Sequence, residues 1–150
     1  MKMETLKKWL LFVILTVCMT TSFASCSSDD DDITDEIVSA IADQVWEYAQ
    51  SHPDGFTLEL STFKAPKVGV AVSYAATQDS HSRDQLDFVV RHALEHDGYV
   101  GGCYNNENGL YYFDSTRLFP EDELEDAIQF GKENGQHSVF ILSSSTDVPI

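Results

Sequence analysis

Tyr99-Val100-Gly101-Gly102-Cys103-Tyr104-Asn105-Asn106-Glu107-Asn108-Gly109-Leu110-Tyr111-Tyr112-Phe113-Asp114-Ser115 decides the fold. Two aromatic-rich runs flank a turn cluster ending in Asn-Gly, the strongest short-range hairpin signal. The first run, 99–104, therefore predicts a strand in spite of its Gly-Gly pair, and 110–115 predicts its antiparallel partner. Adjacent antiparallel strands favour a sheet that buries one face and leaves the other to water. Alternation leaves two readings of these aromatics: Tyr104 and Tyr112 together on an open face as an aromatic platform, or core side chains and cross-strand pairs that stabilise the hairpin without any ligand, the commoner use. Asp114, where sheet gives way to loop, is the acid to watch, and Arg117, three residues on, is its expected structural partner.

Upstream of the hairpin, residues 83–96 carry Leu86, Val89, Val90 and Ala93 at helical spacing, with Ser82 as a candidate cap and Gly98 as the left-handed stop. Residues 56–60 and 68–74 alternate as strands. On the second of these one face is bulky (Val68, Val70, Val72, Tyr74) and the other small. Residues 77–82 read as a polar connection. Residues 33–51 read as a helix capped by Thr34, with Asp35 and Glu36 at its positive end and an apolar stripe of Ile37, Ile41, Val45 and Tyr48. Ile33 and Val38 occupy staple positions. Trp46 falls off the stripe, as a surface aromatic or as a contact to a second element. His52-Pro53-Asp54-Gly55 ends the helix.

Downstream, Pro120 followed by Glu121, Asp122 and Glu123 opens a helix whose stripe is Leu124, Ala127, Ile128 and Gly131, closed by Asn134-Gly135. Residues 137–142 form a last apolar strand, and 143 onward is expected to fray. The order is α-β-β-α-β-β-α-β. It predicts one α+β domain over 33–150, a mainly antiparallel sheet of about five strands with helices packed on one face. The two β-β-α units are either a weak duplication or similar topology.

The amino-terminal part is of another kind. Lys2, Lys7 and Lys8 precede an apolar run from Trp9 to Cys18 that is too short to span a bilayer and has the length of a signal-peptide core. Phe23-Ala24-Ser25-Cys26 follows. It resembles a bacterial lipobox, with Phe23 where leucine is usual. The resemblance implies a signal peptide over residues 1–25, cleavage before Cys26, and acyl chains on Cys26 that hold the chain on a membrane. Ser27-Ser28 and Asp29 to Asp32 resemble the export signal of Bacteroidetes-type surface lipoproteins, which implies an outward-facing outer-membrane location. Two plainer alternatives stand beside these: a secreted protein cut near Ala24, and residues 26–32 as a self-repelling acidic tether. Residues 101–142 (Gly-Gly, turn, Tyr-Tyr-x-Asp, acidic helix, Asn-Gly-Gln) also resemble a block of uncharacterised mobile-element and phage proteins. That resemblance implies a recurrent domain and no activity.

Charge narrows the partners. The chain has a formal net charge of -16, and loss of a lysine-rich leader makes the remainder more acidic still. No basic stripe is available to displace counterions, so nucleic acid is not expected. A basic protein, or a divalent cation, suits the field. Asp29 to Asp32 lack the glycine-punctuated calcium-loop pattern. Of three cysteines, Cys18 leaves with the leader and Cys26 takes lipid, so Cys103 is alone and no internal disulfide is expected.

Two catalytic patterns can be traced. His92-Ala93-Leu94-Glu95-His96 matches the H-x-x-E-H zinc motif, whose paired imidazoles share a helix face with Glu95 as base. The chain ends before the usual third ligand, and two histidines near a helix C-terminus also complement its dipole. Cys103 with a histidine would make a nucleophile and base, but a thiolate needs an electropositive niche and this chain is acidic, so a buried small residue in its strand is the expectation. The expectation is a non-catalytic module without cofactor that binds a protein or other macromolecule, an immunity or inhibitor role being one form. The alternatives are a glycan-binding domain using Tyr104, Tyr112 and Asp114, and a zinc hydrolase using His92, Glu95 and His96.

Overall fold

The computed structural model describes residues 33–150. The leader, Cys26 and the aspartate run lie outside the described residues. Helix α1 (Asp35–Ser51) is followed by β1 (Phe56–Glu59), β2 (Val70–Ser73), a 3-10 turn (Ala75–Thr77) and β3 (Ser80–His81). Then come α2 (Ser82–Glu95), β4 (Tyr99–Asn105), β5 (Leu110–Phe119), a second 3-10 turn (Glu121–Glu123), α3 (Leu124–Glu133), β6 (Ser138–Ile141) and β7 (Thr146–Pro149). All seven strands join one antiparallel sheet in the order β1-β4-β5-β2-β6-β7, with β3 also on β5.

The α+β class and the one-sided packing are as the sequence predicts, but the sheet holds seven strands where about five were expected. Of the two additions, β3 is a two-residue strand within the predicted polar connection. The other, β7, replaces the predicted frayed tail: Val139 pairs with Val148 and Ile141 with Thr146. Two short runs without clean alternation give no strand signal of their own, and the neighbouring strand supplies the order.

β5 is the spine. Its odd-numbered residues meet the helices: Tyr111 and Phe113 contact Trp46 of α1, Ser115 meets His92 of α2, and Phe119 packs on Phe130 of α3. One buried cluster joins Val38, Ile41 and Val45 of α1 and Leu86, Val89 and Val90 of α2 to Leu58, Val100 and Phe113 of the sheet. A second joins Ala127 of α3 to Val70, Val72, Phe119 and Val139. Each fully buried aliphatic side chain of these clusters contributes about 1.5–3 kcal/mol. Trp46 is therefore an inter-element contact and not a loose surface aromatic.

Helix ends follow local chemistry. The Thr34 hydroxyl accepts from the Ile37 amide at 3.4 Å. Ser82 does not cap α2: His81 holds the cap position, its amide donating to Gln85 Oε1 at 2.7 Å. Gly98 closes α2 at φ +79°. Beyond α3, Gly135 adopts φ +65°, while the amides of Gly135 and Gln136 return to the carbonyls of Lys132 and Gly131, a Schellman closure. That closure places Gln136 beside the sheet.

Candidate functional site

Among the described residues, all three helices lie on the odd side of β5, and its even side carries no helix. The register extends that bare face across the sheet. Thr57 and Glu59 stand on β1, Tyr99, Gly101 and Cys103 on β4, Tyr112, Asp114 and Thr116 on β5, and Ser73 on β2. Cys103 is exposed on it, where the sequence predicts a buried residue, because its strand position falls on the face away from the helices; partial burial, followed by the nearby Asp114, pushes its thiol above the usual range. This argues against a nucleophilic thiolate there.

The register separates the two tyrosines predicted to form a platform. Tyr104 is opposite Tyr111, with ring centroids 4.9 Å apart on the helix side, whereas Tyr112 is opposite Cys103 on the bare side. The reason is elementary: partners in an antiparallel pair share a face, and neighbours along a strand do not. The predicted Asp114–Arg117 pair fails for the same reason, three residues being an odd offset. Arg117 lies on the helix side, its guanidinium 4.6 Å from the Phe119 ring centroid and 5.2 Å from that of Phe130.

Asp114 is instead held by hydroxyls. Ser73 donates to its Oδ1 at 2.7 Å and Thr116 to the same oxygen at 2.8 Å. Burial raises the carboxyl above its ordinary range, opposed by those two hydrogen bonds. Its Oδ2 makes no hydrogen bond and is not a sealed-off atom, so it opens to the surface. The opening is a cleft of about 170 Å³ lined by Ser73, Gln78, Asp79, Tyr112, Phe113, Asp114 and Gln136.

The cleft exists because β5 changes partners. It pairs with β3 at Tyr112 and Phe113 and with β2 from Thr116 onward. Between them the chain leaves the sheet through residues 74–79. Ser115 stays satisfied there: its amide donates to Thr77 Oγ1 at 2.8 Å, and its carbonyl accepts from the Tyr74 amide at 2.9 Å. Asp79, at φ +61°, turns the chain back along the rim. The far wall is Gln136, whose Nε2 donates to the Asn134 carbonyl and leaves Oε1 without a partner. Asn134 Oδ1 accepts from the Ala75 amide at 3.0 Å, which ties α3 to the same segment. Tyr112 is steadied by Asn108, whose Nδ2 donates to the phenol oxygen at 2.9 Å. Across from Tyr112, His81 Nδ1 is the one buried side-chain polar atom without a partner among the described residues.

A larger concavity, about 470 Å³, lies at Val68, Gly69, Leu118, Phe119 and Pro120. Its surface is mostly apolar, and Glu121, on its rim, already accepts from the Gly69 amide at 3.2 Å. The smaller cleft has more convergent polar groups, which is the better mark of a specific site.

His92 and His96 are stacked, with centroids 3.9 Å apart and planes 8° from parallel. Both Nδ1 atoms are engaged, that of His92 with Ser115 Oγ at 2.6 Å and that of His96 with the His92 carbonyl at 2.7 Å. Glu95 is exposed to solvent. No group of three or more His, Cys, Asp or Glu suited to a metal occurs among the described residues. The Ser115–His92 contact has the separation of a nucleophile and its base, a pairing the sequence gives no sign of, since 23 residues separate the two. Ser115 is fully buried, however, so no substrate reaches its hydroxyl. Asp97, just past the end of the same helix, is bound to the Tyr74 hydroxyl. The arrangement joins α2 to the sheet and does not form a hydrolytic centre.

The chain matches no protein-family model, no curated protein and no solved structure.

Proposed function

We propose that this chain is a lipid-anchored surface protein of the outer membrane whose acidic domain binds a basic protein through the bare face of its sheet, without catalysis. Residues 1–25 act as the export leader and Cys26 as the lipid attachment. The aspartates that follow hold the domain away from the membrane. One observation carries the binding role. Among the described residues, three helices cover one side of a seven-stranded sheet, and the other side, which no described helix covers, carries a polar cleft. The formal charge of -16 favours a positively charged partner, through steering more than through raw affinity. The separation of Tyr104 from Tyr112 weighs against a glycan platform, which needs both rings on one side.

Two measurements test the reading. Cys26→Ser should move the protein from the membrane fraction to the soluble fraction of fractionated cells; unchanged partitioning overturns the anchor. For the face, photo-crosslinkers placed in the full chain on intact cells, at Cys103 on the bare side and at Phe88 on the outer side of α2, should differ. Crosslinks from position 103 to basic proteins, fading as salt rises from about 0.05 to about 0.5 M, support the reading. Equal yield from both positions, or indifference to salt, overturns it.

A further inference from the structure

The cleft at Asp114 has the chemistry of a receptor for one side chain. At about 170 Å³ it is below the usual range for a drug-sized ligand, roughly 300–1,000 Å³, and has room for a single residue. Its lining contains two carboxylates, Asp79 and Asp114, and no lysine, arginine or histidine. Asp114 is half prepared: Oδ1 is fixed by Ser73 and Thr116, while Oδ2 is open. Gln136 offers a carbonyl whose amide nitrogen is already committed. The ring of Tyr112 is held in place by Asn108.

Acceptors converging from several sides beside an aromatic ring match a planar group rich in N–H donors. A guanidinium presents five such donors in a fixed fork and stacks on aromatic faces, whereas an ammonium is a compact, strongly hydrated point charge. A divalent metal is the poorer fit, because it requires more oxygen ligands than these two acids and two amides bring together.

We propose that this cleft receives an arginine side chain from the basic partner, its guanidinium bridging Asp114 Oδ2 and Asp79 and lying against Tyr112. The proposal rests on the binding-face reading given above, and it names the group recognised.

Full-length protein in a zwitterionic detergent is titrated with N-acetyl-arginine amide, and its backbone amide shifts are followed by NMR. The citrulline analogue, equal in shape but uncharged, and the lysine analogue run in parallel. The expected result is saturable shifts at Ser73, Asp79, Tyr112 and Gln136 in the millimolar range. Lysine should bind more weakly, citrulline should give no saturable shift, and Asp114→Asn should weaken arginine binding at least tenfold. That variant keeps the Oδ1 acceptor for Ser73 and Thr116, and its native spectrum verifies folding. Absence of saturation at those residues, equal binding of citrulline, or an Asp114→Asn protein that binds as well as wild type overturns the proposal. Face-selective crosslinking that survives such a result leaves the surface reading standing. Arginine binding in the cleft with crosslinks from the helix side would do the reverse.

Discussion

Gly101 and Asp114 are cross-strand partners, and the glycine is the reason the carboxyl lies flat on the sheet. A Cβ at position 101 would come 2.9 Å from Asp114 Oδ1 and 3.0 Å from Thr116 Oγ1. Because those two oxygens are hydrogen-bonded to each other, neither moves freely. Gly101→Ala should therefore cost about 1–3 kcal/mol, typical of an overpacked site. Combining it with Asp114→Ala removes one of the two obstacles, so the pair should lose less than the two single changes summed. Urea unfolding of the four proteins measures this, and strict additivity would show that the contact is not what excludes a side chain at 101.

Asp114 also carries a pH signature. Burial raises its carboxyl above the usual range, so the folded state holds the proton more tightly than the unfolded chain does. Such a group contributes stability below its unfolded pKa, about 3.9, and that contribution is lost as pH rises through the higher folded value. At neutral pH the wild type bears the cost of ionisation and Asp114→Asn does not. The variant should unfold at higher urea concentration at pH 7, with the advantage shrinking toward zero below pH about 4. A variant less stable than wild type at pH 7 would mean that the carboxylate is net stabilising as it stands.

How far the sequence reached depends on which interactions write themselves locally. Helices α1 and α2 are legible because buried positions recur at helical spacing and Thr34 and Gly98 mark their ends. The β4–β5 hairpin is legible because Asn-Gly states its own turn. The site is legible only in part. Asp114 and Tyr112 line the cleft, but Asp79, Gln78 and Gln136 come from segments that nothing in the local sequence brings together. The Tyr104 and Arg117 errors are of another kind. The first follows from register, which pairs Tyr104 with Tyr111 and which the Asn-Gly turn alone does not set; the second follows from strand length, since β5 runs on to Phe119 and not into a loop after 115, so an odd offset puts Arg117 on the other face. The missed β7 shows the same limit, since its order comes from β6 and not from its own residues.

His92 should make the fold acid-sensitive. Burial, then the stacked His96, lowers its pKa, while Glu95 acts weakly the other way. The folded state thus favours the neutral ring, with Nδ1 left to accept from the Ser115 hydroxyl. A histidine of depressed pKa contributes stability above its unfolded value, about 6.5, and loses that contribution as pH falls through the folded value. Stability should drop as pH falls below about 6.5, and His92→Asn, which cannot ionise, should flatten that drop. An equally steep profile in the variant would assign the acid sensitivity to other groups.

The strand β7 gives the last test. Val148 and Ile150 pack against the cluster formed by α3, β2 and β6, and the Ile150 amide donates to the His137 carbonyl at 3.1 Å. Pro149 suits an edge strand, where a missing amide donor does no harm. Deleting residues 144–150 would remove two packed aliphatic side chains and the hydrogen bonds that cover β6. The loss should be about 3 kcal/mol or more by area alone. Ile150→Ala, leaving the strand in place, should cost about 1–2 kcal/mol, less than a fully buried isoleucine because Ile150 is only partly covered. Thermal and urea unfolding would measure both. With β7 gone, β6 becomes a bare edge able to pair with a second chain, which size-exclusion chromatography would detect as dimer, whereas a deletion without effect on stability or assembly would return these residues to the status of a frayed tail.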